Sequence, residues 1–236
     1  MYVQHSVEIV AWVDVAPTPE RIRWAKAQGL AGLNVMVSGD STDRTAGPFA
    51  VHRWVEPTLA AIADAGLDVE LTAWAQPHAA YLDAACEWLV GAALRHGARC
   101  VWWDAEEPWT QARGGLSPQA AADRIDLAGA REGVTGIGYA PRSLDPLLAR
   151  ADVVAPQAYA TTRPGSLSHR GIAGVLEGWR RRAPSAQLEP ALAAYSQPSD
   201  AGLAQAWAAA GRPSRIQVWA LRHLRAAQLD ALAGVG

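Results

Sequence analysis

The sequence predicts a single (β/α)8 barrel, a TIM barrel, that spans residues 1–236. Eight short apolar runs rich in Val, Ile and Trp alternate with eight Ala-rich segments that have helical periodicity. This regular alternation is typical of a barrel of parallel strands. A doubly wound open sheet is the alternative, but such a sheet often carries a glycine-rich phosphate loop after its first strand. Here Asp14-Val15-Ala16-Pro17 stands at that place.

The strands and helices follow one another at regular spacing. The predicted strands are 7–15, 32–38, 68–75, 98–106, 135–140, 152–160, 187–195 and 215–221. The predicted helices are 19–28, 52–65, 79–96, 118–131, 143–150, 169–182, 200–210 and 223–233. The longest loop, Gly39 to Val51, follows the second strand, so we expect it over the mouth of the barrel.

Local signals mark where the helices begin and end. Helix starts are indicated by a capping residue or an early proline at Thr18-Pro19, Ser117-Pro118 and Ser199-Asp200. Helix ends are indicated by glycine at Gln28-Gly29, Ala65-Gly66, His96-Gly97, Glu132-Gly133 and Ala210-Gly211.

The composition excludes several classes of function. A net charge of −2 argues against a dedicated nucleic-acid binder. Two cysteines do not make a disulfide framework, and six histidines without H-x-H or H-E-x-x-H spacing argue against a metal-dependent hydrolase. The chain has no G-x-S-x-G nucleophile elbow, and no glycine-rich phosphate cradle follows the last two strands. We therefore expect no metal and no cofactor.

The ends and the hydropathy of the chain bear on its location. The N-terminal residues lack the basic and apolar regions of a signal peptide, and no apolar run is long enough for a membrane span. We expect a monomer that is made in the cytoplasm without membrane contact. It would reach a cell wall after release, or act outside the cell as part of a larger particle.

The predicted strand ends carry the side chains that would form a site, because TIM-barrel sites lie at the carboxyl ends of the strands. Within each strand they fall at a spacing of two, so each set shares one face. Glu70, Thr72 and Gln217 fit a hydrogen-bonded core layer equally well, and the tryptophans fit core packing as well as sugar stacking. The side chains at the strand ends are Trp12, Asp14, Asn34, Met36, Ser38, Glu70, Thr72, Trp74, Gln76, Trp102, Asp104, Glu106, Tyr139, Gln157, Tyr159, Tyr195, Gln217 and Trp219.

The run VWWDAEEPW, from Val101 to Trp109, is the most informative segment. Alternation places Asp104 and Glu106 on one side and Glu107 on the other. Two carboxylates so close cannot both ionise freely, so one pKa should rise and leave a group that can act as a general acid. The neighbouring tryptophans offer flat apolar surface, and this combination suits the cleavage of sugars. Glu107 is the alternative acid if the strand register differs by one residue.

Two motifs resemble the glycoside hydrolase family 25 of lysozyme-type muramidases. Asp14-Val15-Ala16 resembles that family's D-V-S on strand 1, with Ala16 in place of Ser, and Asp104-Ala105-Glu106 resembles its D-x-E on strand 4. The same D-x-E ends the family-18 chitinase motif, and Gln157-Ala158-Tyr159 resembles that family's M-x-Y. The upstream aspartates of the chitinase motif are absent. So is the further acidic residue that family 25 carries on a later strand.

The resemblance implies a glycoside hydrolase that cleaves an amino-sugar polysaccharide, above all peptidoglycan. It implies Glu106 as general acid, with Asp104 and Asp14 positioning or stabilising the reacting sugar. A non-catalytic carbohydrate-binding barrel, or a structural module of a phage or cell-wall assembly, is the alternative, and an enzyme of small-molecule metabolism is a third possibility. The side chains expected to bind the glycan are Trp12, Trp74, Gln76, Trp103, Glu107, Trp109, Tyr139, Gln157, Tyr159, Tyr195, Gln217 and Trp219.

Overall fold

The computed structural model describes residues 7–38, 48–111, 115–164 and 166–234. Its parallel strands close into one barrel in the order β1 to β8, with β8 beside β1. The predicted fold is confirmed. The strands are β1 Glu8–Val13, β2 Gly32–Ser38, β3 Asp68–Trp74, β4 Cys100–Asp104, β5 Glu132–Ile137, β6 Val153–Gln157, β7 in two segments, Gln187–Leu188 and Ala191–Ala193, and β8 Arg215–Trp219.

Helices follow every strand and pack outside the barrel. One short extra turn, α4, follows β4 ahead of the longer α5, and 3₁₀ turns precede α6 and α9. In the described parts of the chain, no helix is long and apolar enough to cross a membrane. The α-helices are α1 Pro19–Ala27, α2 Val55–Asp64, α3 Ala79–His96, α4 Glu107–Thr110, α5 Pro118–Arg124, α6 Asp145–Leu148, α7 His169–Arg182, α8 Gly202–Ala209 and α9 Ala226–Ala233.

Two of the three predicted helix starts have the expected cap. The hydroxyl of Thr18 accepts a hydrogen bond from the backbone N–H of Arg21, and Ser117 does the same for Ala120, each with a proline directly after it. The third is wrong by two residues, because α8 begins at Gly202 and has no side-chain cap.

Four of the five predicted helix ends are confirmed, and the fifth is wrong. Gly29, Gly66, Gly97 and Gly211 each follow a helix, and each of these glycines has a positive φ. Gly133 instead lies inside β5, which begins three residues earlier than predicted. A Cβ at Gly133 would stand 2.3 Å from the ring of Trp102, so a glycine is needed there to admit that indole into the barrel.

Other predicted elements are shorter than the sequence indicated. The helix predicted over 118–131 ends at Arg124, where a turn leads into β5, and the one predicted over 143–150 is a 3₁₀ turn followed by α6. The seventh strand is interrupted at Glu189-Pro190, since proline has no N–H to donate to a sheet. The predicted loop over the mouth lies mostly outside the described residues, which omit 39–47.

Two apolar clusters form the core. The larger one fills the space between strands and helices, and a smaller one of Cys100, Trp102, Val153, Ala155 and Ala191 fills the barrel interior. The alternate strand residues therefore face inward as predicted, and their inner face carries the polar groups.

The interior near the amino ends of the strands is a closed polar network. The Arg215 guanidinium contacts Glu70 at 2.6 Å and Glu189 at 3.1 Å. Trp102 and Gln217 donate hydrogen bonds to Glu70 at 2.7 and 3.1 Å. For Glu70 and Gln217 the interpretation as a hydrogen-bonded core layer fits these contacts.

Candidate active site

A cavity of about 610 Å³ opens at the carboxyl ends of the strands, where a TIM barrel carries its site. Its walls combine a few carboxyl and amide groups with several aromatic rings, the usual composition of a ligand pocket. The lining residues are Asp14, Val15, Ala16, Met36, His52, Trp54, Trp74, Asp104, Glu106, Ile137, Gln157, Tyr159, Tyr195, Trp219 and Arg222.

Asp104 and Glu106 lie together in this cavity. Asp104 is the last residue of β4 and is 4% exposed, and Glu106 is the residue that precedes α4. Gln157, at the end of β6, donates a hydrogen bond from Nε2 to Asp104 Oδ1 at 3.0 Å. The two acids are thus brought to one place, while Glu107 begins α4 and does not line the cavity.

Burial governs the protonation of this acid pair. It raises the pKa of Asp104 well above its usual range, and the charge of Glu106 raises it further. Burial also raises the pKa of Glu106. Gln157 lowers both pKa values through hydrogen bonding, but this does not offset burial. The pair can therefore hold a proton at a pH where an ordinary carboxyl has lost it.

Aromatic side chains from four strand ends surround the pair. The rings of Tyr159 and Tyr195 meet edge to face at 6.1 Å, and Trp219 packs on the buried Trp12 at 5.3 Å. Burial and the nearby acids raise the pKa of Tyr159 well above its usual value, so its hydroxyl stays a hydrogen-bond donor. Trp74 is 3% exposed, and its Nε1 has no hydrogen-bond partner among the described residues.

Asp14 reaches the cavity just beyond β1 and pairs with Arg222, which follows β8. Their Oδ2 and Nη2 atoms are 2.7 Å apart. The pairing of β1 with β8 closes the barrel and brings these two distant parts of the chain together. Of the three predicted catalytic residues, all line the same cavity.

Some residues of the wall were not predicted. Met36 is predicted at a strand end without a binding role, and Arg222 is not among the predicted site residues. His52 and Trp54 stand ahead of α2 with their rings stacked at 5.6 Å and 7°. Both residues fall within the helix predicted over 52–65. The one sequence signal that could have placed them in the cavity wall is that this helix directly follows the loop predicted over the mouth.

Two predicted ligand-binding residues lie beneath the cavity. Trp12 and Gln217 are fully buried, and Trp12 Nε1 donates to Gln217 Oε1 at 3.1 Å. Trp12 packs on Trp219, and Gln217 belongs to the polar network of the barrel interior. Gln76 is 4% exposed and lies just beyond β3, and it does not line the cavity.

Three predicted aromatic contacts lie elsewhere. Trp103 and Trp109 are fully buried in the outer core, and Trp109 donates to the Ser143 carbonyl at 2.9 Å. Tyr139 is 64% exposed and lies against Gly174 and Gly178 of α7, away from the cavity wall. The structure therefore does not bring these rings to the acid pair.

Within the ranges described, no three His, Cys, Asp or Glu side chains are grouped so that they could hold a metal ion. The expected absence of a metal stays a prediction.

Comparison with known proteins adds a distant likeness in fold. No family model matches the chain, and neither does any curated protein. The Bacillus cereus spore cortex-lytic enzyme SleL matches with a TM-score of 0.65 and 11% identity, over 98% of this chain and 74% of that one. A chitinase from Bacteroides thetaiotaomicron matches with a TM-score of 0.65 and 8% identity, over 96% of this chain and 95% of that one. The family-18 chitinase ChiB from Flavobacterium johnsoniae matches with a TM-score of 0.61 and 12% identity, over 98% of this chain and 94% of that one.

At these identities the likeness shows the fold. The chain is distantly similar to glycoside hydrolase barrels, and no family is assigned to it from sequence. A barrel hosts many chemistries, so the function has to be argued from the cavity.

Proposed function

We propose that this chain is a glycoside hydrolase that cleaves an amino-sugar polymer, with peptidoglycan as its first candidate substrate. The observation that carries the proposal is the buried pair Asp104–Glu106 in an aromatic-walled cavity at the barrel mouth. The similar structures named for cortex lysis and for chitin cleavage support the choice of an amino-sugar polymer.

Glu106 is the general acid in this proposal. It lines the cavity, it is less buried than Asp104, and its raised pKa keeps a proton available. The proton passes to the glycosidic oxygen as the bond from that oxygen to the anomeric carbon breaks. Proton donation of this kind contributes about 10²–10⁴-fold to rate.

Asp104 positions the sugar that reacts. It is deeper than Glu106, and its raised pKa makes it a poor nucleophile at neutral pH. A hydrogen bond with the sugar's acetamido group would align that group's carbonyl oxygen to bond to the anomeric carbon as the glycosidic bond breaks. Asp14, held by Arg222, is a supporting carboxylate.

The aromatic wall binds the glycan. Trp74, Trp219, Tyr159 and Tyr195 offer ring faces to the C–H faces of sugars, and the polar edges of these rings reach hydroxyl groups.

The test compares release of reducing ends by wild type, Glu106→Gln and Glu107→Gln, from peptidoglycan and from chitin oligosaccharides. Glu107 is the matched control because it is the adjacent acid and does not line the cavity. We expect Glu106→Gln to lower kcat by about 10²–10⁴-fold and Glu107→Gln to keep wild-type turnover. A larger loss of kcat in Glu107→Gln than in Glu106→Gln would identify Glu107 as the general acid.

A wild type that binds these glycans without cleaving them would contradict the enzyme and support the binding barrel. Binding is therefore measured alongside turnover, by calorimetry with the same oligosaccharides.

A further inference from the structure

A second, smaller cavity of about 300 Å³ adjoins the first at the β1 and β8 ends. Both cavities are lined by Asp14, Val15, Ala16 and Arg222. The Asp14–Arg222 ion pair therefore stands where the two spaces meet. The smaller cavity adds apolar surface from Val13, Pro17 and Leu221, and polar side chains from Thr18 and Arg21. The Arg21 guanidinium already donates hydrogen bonds to the backbone carbonyls of Leu221 and Leu224.

Arg222 has donors to spare at this junction. Its side chain is 46% exposed, its Nη2 contacts Asp14 and its Nε lies 3.2 Å from His223 Nε2. A guanidinium has five N–H donors in a planar fork, and a carboxylate can take two of them at once. The described contacts thus leave donors for a third, anionic partner.

The charge near Arg222 favours an anion. Arg222 is the one Lys or Arg among the described residues that line the main cavity. Arg163 adds a second guanidinium above the ring of Tyr195, at 4.7 Å. Burial lowers the pKa of His223, and the charges of Arg222 and Arg163 lower it further, although Asp14 raises it.

We propose that Arg222 and the smaller cavity receive a carboxylate-bearing substituent of the amino-sugar polymer. The inference rests on the proposed function and makes Arg222 a specificity-determining residue. The apolar wall takes the carbon part of a short substituent, and the guanidinium takes its carboxylate. An acidic amino-sugar polymer is then preferred over a neutral one such as chitin.

The experiment measures kcat/KM of wild type and Arg222→Gln on three substrates. Chitin oligosaccharides carry no carboxylate, peptide-free glycan strands carry the lactyl carboxylate of muramic acid, and peptide-bearing strands carry carboxylates of the stem peptide. We expect wild type to prefer a carboxylate-bearing substrate. The preference is the kcat/KM on a carboxylate-bearing substrate divided by the kcat/KM on chitin oligosaccharides. In Arg222→Gln we expect this ratio to fall about 10–100-fold, the range for the loss of hydrogen bonds to a charged group.

Two further variants make the result specific. Arg225→Gln removes an arginine that pairs with Asp200 on the surface and lines neither cavity, so its ratio should equal that of wild type. Arg222→Lys keeps the charge and loses the fork, so its ratio should fall between those of wild type and Arg222→Gln.

The outcomes separate the two proposals. A fall on peptide-free strands identifies the lactyl carboxylate, and a fall on peptide-bearing strands alone identifies the stem peptide. An equal loss on acidic and neutral substrates would mean that Arg222 only holds Asp14, and it would overturn the inference, as would an unchanged ratio. If wild type cleaves nothing, the proposed function fails. Calorimetry with the same oligosaccharides then decides the inference by whether Arg222→Gln loses a preference for acidic ligands.

Discussion

The two ends of the barrel interior both bury acidic side chains, but they treat them in opposite ways. Near the amino ends of the strands, Glu70 and Glu189 share the Arg215 guanidinium, and Trp102 and Gln217 donate further hydrogen bonds. Near the carboxyl ends, Asp104 and Glu106 share one amide donor, Gln157. The first group is compensated by a cation, and the second is not.

Burial raises the pKa of acids at both ends, but at the amino end the charge of Arg215 lowers the pKa of Glu70 against it. Burial alone would lower the pKa of Arg215, but the charges of Glu70 and Glu189 outweigh this effect and raise the pKa, so Arg215 stays a cation. The pKa values of Asp104 and Glu106 are raised by burial with no cation to oppose it. A protein keeps an uncompensated acid pair at a cost in stability, and such pairs concentrate at functional sites.

The largest expected effect comes from removing the cation of the amino-end network. Arg215→Met leaves two buried carboxylates unpaired, so we expect the free energy of unfolding to fall by about 3–5 kcal/mol. Urea denaturation measures the loss. The control is Arg124→Met, whose partner Asp83 is exposed, so its loss of stability should be much smaller than that of Arg215→Met. Equal losses in the two variants would contradict the compensated network.

Neutralising Asp104 should raise the free energy of unfolding, the opposite of the effect expected for Arg215→Met. The folded-state pKa of Asp104 is raised above the unfolded value of about 3.9, so the wild-type fold loses stability as the pH rises from the unfolded pKa through the folded one. Asp104→Asn removes this loss and should stabilise the fold by about 1 kcal/mol at pH 8, with a smaller gain at pH 5. Urea denaturation at both pH values checks it, and turnover should fall.

The matched control is Asp83→Asn. The pKa of Asp83 is lowered by its hydrogen bond from Arg124, so its contribution to stability is present above the unfolded pKa and this variant should lose stability at pH 8. A loss of stability in Asp104→Asn would mean that its carboxylate is compensated after all.

The smallest expected effect is a shift of the pH profile. Glu106 donates a proton, so kcat should fall as pH rises through its raised pKa. Gln157 lowers the pKa of both acids, so Gln157→Leu should move this alkaline limb to higher pH. Measurement of kcat between pH 4 and 9 checks the direction. An alkaline limb that moves to lower pH would contradict the role of Gln157 in lowering these pKa values.

Much of the fold could be predicted because strand alternation and helix caps are local signals. The same alternation indicates that Asp104 and Glu106 share a side, and both line the cavity although β4 ends at Asp104. It also indicates that Trp103 points the other way, and its place in the outer core agrees. The prediction that Trp103 binds the glycan is at odds with this alternation.

Other parts depend on contacts between distant residues. The glycine at position 133 resembles a helix end in sequence, and its place inside β5 follows from the Trp102 ring across the barrel. The Asp14–Arg222 pair depends on barrel closure between β1 and β8. Trp109 and Tyr139 lie beyond strand ends, where loop geometry decides the direction and period-two alternation does not apply.

The most direct test of the uncompensated acid pair is a carboxyl titration by ¹³C NMR. Wild type and the Asp104→Asn/Glu106→Gln double variant are compared, so the difference isolates the pair from Glu70 and Glu132, whose pKa values are also raised. We expect the carboxyl signals present only in wild type to titrate above the ordinary carboxyl range, as a coupled pair. If those signals titrate in the ordinary range, the pair is compensated, and Glu106 is not held as a proton donor.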